Sequence, residues 1–183
     1  MSDKINLIEC FNYAWQQKCS KSTEELKEEF LNQILPSYMN LYQLYTETLG
    51  NHGESYNNEI FVYYTVIFMK MMMSDGEFLV GEYEFFQAFS EACGYDALAP
   101  ETLMKRAVSV EKETYDNMIS TFKQCRDAIG NEEYKQFIVA LSFLALSGDK
   151  ELDEEEFNCI ISFLDEKKDV YPKTIKELKE TWK

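Results

Sequence analysis

Two stretches of this chain, 59–74 and 132–147, are apolar on nearly every side, and each runs straight into an acidic turn. The first carries Ile60, Phe61, Val62, Tyr64, Val66, Ile67, Phe68 and Met69, then three consecutive methionines, Met71, Met72 and Met73. The second is apolar through 137–146. A helix with no polar face belongs at the centre of a bundle, covered on all sides. Only seven Gly and three Pro punctuate the 183 residues, and no segment alternates strictly between apolar and polar. Helices joined by short turns are therefore expected. The fold class is all-α: a single-domain bundle of about seven to nine helices over 1–183.

The helical period continues outside the two central stretches. A short helix is expected within the first 18 residues. Ser22, Thr23, Glu24 and Glu25 form an S-x-x-E capping box. Leu26, Phe30 and Ile34 then repeat on one face, until Pro36 breaks or kinks the helix or starts a new one. Tyr38, Leu41, Tyr42, Tyr45 and Leu49 carry the period to Gly50, and 50–58 is a polar loop. Leu79, Tyr83, Phe86, Phe89 and Cys93 mark an amphipathic helix, and a short helix is expected from Pro100. Ser109 is placed to cap the next, with Tyr115, Ile119, Phe122 and Ile129 inward and Gly130 past its end. Phe157, Ile160, Ile161 and Leu164 build another amphipathic helix. The Lys-rich segment from Tyr171 is expected as a last, exposed helix.

The two central helices head related units 74 residues apart: Asp75 falls on Asp149, Glu77 on Glu151, Glu82 on Glu156 and Phe89 on Phe163. Phe78 meets Leu152, Tyr83 meets Phe157 and Phe86 meets Ile160, apolar on apolar. Each unit reads as a buried helix, an Asp-x-Glu-apolar-x-x-x-Glu turn, and an amphipathic helix. This is the pattern of an internal duplication. It divides the chain into N-terminal helices at 1–56, a duplicated core at 57–168 and a C-terminal helix at 169–183.

The run Met73, Ser74, Asp75, Gly76, Glu77, Phe78, with Glu82 following, resembles the DGE-apolar-x-x-x-E signature of TerB-like tellurite-resistance domains. The second copy, from Gly148 through Glu156, is looser, with Lys150 where the first has Gly76. The resemblance covers roughly 57–168. It implies an all-α domain with internal pseudo-two-fold symmetry, a symmetric acidic site, and a role as a metal or stress-signal module.

Carboxylates are hard oxygen ligands suited to Ca²⁺, Mg²⁺ or Mn²⁺. Asp75 and Glu77 sit two apart in a turn, and Glu82 lies in the first turn of the next helix. If the units face each other, Asp149, Glu151 and Glu156 bring three more carboxylates close. Neither turn is an EF-hand: counting from Asp75 puts Val80 at position six and Phe86 at twelve, and from Asp149, Glu154 and Ile160. The competing reading is structural. Asp153 is a good N-cap with Glu156 three residues on, as in a capping box, and acids in a first helical turn complement the helix dipole. In the first unit Leu79 stands where Asp153 stands in the second, so side-chain capping does not account for Glu82.

Charge and composition narrow the function. With 18 Lys and Arg against 33 Asp and Glu, the net charge is −15. Such a field repels nucleic-acid phosphate and anionic membrane surfaces. The longest apolar run is about 14 residues, short of the ~20 a membrane span needs. Segment 70–105 holds seven acids and no base between Lys70 and Lys105, a solvated face or a docking surface for a basic partner. The lone His52 leaves no pair for a His-based zinc or di-iron site. Five scattered Cys without a C-x-x-C pair, and a start without a signal-peptide layout, point to reduced thiols in the cytoplasm.

The expected function is therefore a non-enzymatic cytoplasmic TerB-like module. It binds a divalent cation through Asp75, Glu77, Glu82, Asp149, Glu151 and Glu156, and acts in a stress or tellurite-resistance-type response through protein partners. The alternative is a metal-free acidic module that docks a basic protein. A third reading, a Mg²⁺-dependent all-α nucleotide pyrophosphatase, takes Glu24, Glu25 and Glu28 as EExxE and Glu113 with Asp116 as ExxD. The gap between those motifs is far longer than that family uses.

Overall fold

The computed structural model describes residues 4–34, 36, 84, 87, 91, 105, 109–147 and 152–182. Helix accounts for 75% of the interpretable part and no strand occurs in it, so the all-α expectation holds there. The expected helices at 38–49 and 59–74, the start at Pro100, His52, and most of 79–93 lie outside the described residues. Within 79–93, Glu84, Gln87 and Glu91 are helical.

Helix α1 (Leu7–Ser20) starts where Asn6 caps it, its side chain accepting from the Ile8 N–H. Leu7, Cys10, Phe11 and Ala14 are buried, the i, i+3, i+4, i+7 stripe of an amphipathic helix. Helix α2 (Thr23–Glu29) opens on the expected capping box: Ser22 N–H donates to Glu25 Oε2 at 2.7 Å, and Glu25 N–H donates to Ser22 Oγ at 3.3 Å. The chain then widens into a π-helical segment, Phe30–Ile34, which periodicity did not anticipate. Pro36, just beyond, has no N–H to give the Asn32 carbonyl four residues back, so α-helical bonding is interrupted there.

Helix α3 (Lys112–Ile129) begins later than expected. Ser109 is itself helical, and the N-cap is Glu111, with no side-chain cap bond. It ends at Gly130, whose φ of 93° lies in the left-handed region that glycine favours and whose N–H bonds the Arg126 carbonyl. The single residue Gly130 links α3 to α4 (Asn131–Ser147).

Helix α4 is the centre of the described structure. Tyr134, Phe137, Ile138, Ala140, Leu141 and Ser142 are fully buried, and Val139, Phe143, Ala145 and Leu146 nearly so. The absence of a polar face in 132–147 therefore corresponds to burial on more than one side. One side meets α1, where Tyr13 contacts Phe143. Another meets α3 and α5 (Glu154–Ser162), through a cluster of Phe122, Phe137 and Phe163 with ring centroids 5.0 to 6.0 Å apart. Aromatic pairs in this arrangement add about 0.5–1.5 kcal/mol each beyond area burial. Two hydroxyls of α4 in this core are satisfied: Tyr134 hydroxyl donates to the Phe163 carbonyl, and Ser142 hydroxyl to the Ile138 carbonyl.

The chain end also differs from expectation. Helix α6 (Ile175–Glu180) is capped by Thr174, but it is not simply a solvated helix. Leu178 is fully buried, and Trp182 stacks on Trp15 of α1 with centroids 4.6 Å apart. Lys176 is exposed and Lys179 half-buried, while one apolar side docks. Upstream, Asn6 and Val170 form a parallel bridge, closed by Leu7 N–H to the Val170 carbonyl and Val170 N–H to the Ile5 carbonyl.

Candidate functional site

Of the six carboxylates expected to form the site, Asp75, Glu77, Glu82, Asp149 and Glu151 lie outside the described residues. Glu156 is described, and its place is set by the start of α5. Asp153 is the N-cap; its Oδ1 accepts from the Glu156 N–H at 2.7 Å, and Glu156 Oε2 accepts from the Asp153 N–H at 3.0 Å. Glu156 is buried, as are Leu152 and Phe157 near it in the chain. The capping reading of Glu156 thus matches this geometry. Among the described residues no group of three or more Asp, Glu, His or Cys is arranged to hold a metal ion.

The acids of the third reading lie on two helices, α2 and α3. Glu24, Glu25 and Glu28 are exposed on α2, and Glu25 is engaged in the capping box. That bond from the Ser22 backbone, followed by the Ser22 hydroxyl, holds the Glu25 carboxyl below its usual range. On α3, Glu113 and Asp116 are exposed, and Asp116 pairs with Lys112 one turn back.

The strongest described electrostatic arrangement is one that sequence reasoning missed. Arg126 and Asp169 are both buried and face each other through two bonds, Nη1 to Oδ2 at 2.6 Å and Nη2 to Oδ1 at 2.7 Å. Asp169 Oδ1 also accepts from Ile5 N–H, and Oδ2 from Asp165 N–H. Arg126 Nε donates to Asn131 Oδ1, and its guanidinium lies over the Tyr134 ring. Burial alone would lower the Arg126 guanidinium, but the bonds and charge of Asp169 outweigh it and hold it above its usual value. The arrangement can fasten the chain start, α3, α4 and the segment after α5 to one another. Asp169 accepts four bonds and Arg126 donates three, all within the protein, so the pair serves as a clamp between these elements. A signal was present: Arg126 follows Ile119 and Phe122 on the inward face of α3, where a charge requires a partner.

A second missed network joins α1 to the end of α2. Glu29, buried, accepts from the Tyr13 hydroxyl at 2.7 Å and pairs with Lys21. Desolvation, then the Glu29 bond and charge, push the Tyr13 hydroxyl up to about 12. Nearby, burial pushes the Cys10 thiol from 9.0 to about 12. It stays a thiol at neutral pH and is not a nucleophile. Cys159 shares a hydrogen bond with the Tyr115 hydroxyl at 3.0 Å, and Cys19 is exposed. Burial first, then Cys159, push the Tyr115 hydroxyl up.

No family model matches this chain, and no curated protein or solved structure matches it. Among the described residues no helix is long and apolar enough to cross a membrane.

Proposed function

We propose that this protein is a non-enzymatic helical module of the TerB-like kind that binds a divalent cation, Ca²⁺, Mg²⁺ or Mn²⁺, at its first acidic turn. Asp75 and Glu77 are the primary ligands and Glu82 the third, with Asp149 and Glu151 as the counterpart turn. It acts through protein partners in a stress or tellurite-resistance-type response. The observation that carries the reading is the matched register of the two acidic turns, each following an apolar stretch, 74 residues apart. Hard carboxylate oxygens clustered without His or Cys select hard cations. Because Glu156 serves the α5 cap, the proposal rests on the first turn, where Leu79 replaces the capping residue.

That cap also favours a second reading, in which the turns are structural and the −15 charge docks a basic protein. Calorimetry separates the two. Titration with Ca²⁺, Mg²⁺ and Mn²⁺ is expected to give saturable binding in the wild type that is lost in Asp75→Ala/Glu77→Ala. Heat of dilution alone for every ion at sub-millimolar concentration would reject the metal module in favour of docking.

A further inference from the structure

The C-terminal segment is fastened differently at its base and at its tip. At the base, Asp169 is locked to Arg126 at 2.6 and 2.7 Å, and Val170 bridges to Asn6 by backbone bonds. Residues 171–174 then run without helix, and α6 follows. At the tip, contact with α1 is aromatic: the Trp182 ring stacks on Trp15 with centroids 4.6 Å apart and lies 6.3 Å from Phe11. Leu178 is fully buried. Thr181 Oγ1 donates to Asn12 Oδ1 at 3.2 Å in a solvent-exposed position. The bonds that start and end α6 stay within the segment. Lys173 N–H donates to Glu177 Oε2, Glu177 N–H to Thr174 Oγ1, and Thr181 N–H to the Leu178 carbonyl.

A helix of six residues does not persist alone in water, because its nucleus costs more than so few bonds return. Docking and helix formation in 173–182 are therefore one event. Undocking leaves the bonds at Asp169 and Val170 in place, so the opening stops at that base. It also has a return: Trp182 Nε1, shut off from solvent and without a hydrogen-bond partner when docked, regains water. We propose that 173–182 is a strap over α1 that opens as one cooperative unit, hinged at 171–174, while α1, α3, α4 and α5 stay folded. Elements that move in regulation are drawn from such low-stability units. Opening uncovers the side of α1 that carries Phe11 and Trp15, the two rings that Trp182 meets when the strap is closed. The device involves none of the acidic-turn carboxylates and stands apart from the cation reading.

The chain has two Trp, Trp15 and Trp182, and both lie in this contact, so indole emission reports closure. The full-length protein is unfolded in urea while emission, far-UV circular dichroism and amide hydrogen exchange are followed. Emission is expected to shift to the red at lower urea than the helical signal is lost. The amides of 175–182 are expected to exchange together, at least about tenfold faster than those of α4. Leu178→Ala removes docking surface. It is expected to raise that exchange roughly 30-fold and to lower the emission midpoint, while the dichroism midpoint stays. Coincident emission and dichroism transitions overturn the proposal. So does fast exchange in 175–182 with emission unmoved, which is fraying of the last turn alone, and so does a Leu178→Ala variant that lowers both midpoints equally.

Discussion

Arg126 of α3 holds Asp169, 43 residues further along, through two guanidinium nitrogens at 2.6 and 2.7 Å, with neither side chain open to solvent. The same carboxylate accepts two backbone N–H groups, from Ile5 and Asp165. Four charge-assisted bonds converge on one Asp. They fasten the start of α1 and the segment after α5 to the α3–α4 corner.

Breaking that pair from one side leaves an uncompensated buried charge. Arg126→Met is therefore expected to destabilise the fold by about 3–5 kcal/mol, read as a lower urea midpoint. The effect persists in high salt, because burial shields the pair from ions. A variant within ~1 kcal/mol of wild type would mean that water reaches Asp169 and replaces the guanidinium.

The start of α5 gives a smaller, separable loss. Asp153→Ala removes the acceptor for the Glu156 N–H and is expected to cost about 1 kcal/mol. Glu156→Gln keeps an oxygen for the Asp153 N–H and is expected to cost less. If Glu156→Gln proves the worse of the two, the Glu156 charge has a role that capping does not explain. Thermal melts of the two variants decide the order.

Alkaline stability follows from Cys10 and Tyr13. Burial holds the Cys10 thiol at about 12 against 9.0 in a free chain. Tyr13 is held at about 12 against 10.0, by desolvation and then Glu29. Both pKa values are raised on folding, so the stabilisation is complete below the unfolded values and is lost as pH climbs through the folded ones. Urea midpoints are expected to decline from about pH 9 towards 12, most steeply where both groups titrate. Cys10→Ala removes the thiol's share and flattens the early part of that decline. Parallel curves for wild type and variant between pH 8 and about 11 would show that the thiol does not drive it.

The parts of the fold legible in the sequence are those decided within about four residues of chain. Ser22 and Glu25, and Asp153 and Glu156, read as capping boxes and form them. Gly130 reads as a helix end and takes a positive φ. Ser109 was misplaced as a cap because Glu111, which the helix uses, makes no side-chain bond that would betray it. The π-helical segment escaped because a four-residue apolar repeat looks the same whether the backbone is α-helical or one residue wider. Of the candidate site, Glu156 was legible as a cap, while Arg126, Asp169 and the paired tryptophans were not singled out.

The residue pattern alone determined that this chain is helical where it is described, and that 132–147 lies at its centre. Periodicity and capping depend on neighbours along the chain, and a stretch with no polar face has no solvated alternative. Only the tertiary structure decided that Asp169 receives Arg126 and the Ile5 N–H, 164 residues away, or that Trp182 lies on Trp15. Those choices depend on which helices become neighbours. Helix packing settles that by burying the most apolar surface while leaving no buried charge without a partner.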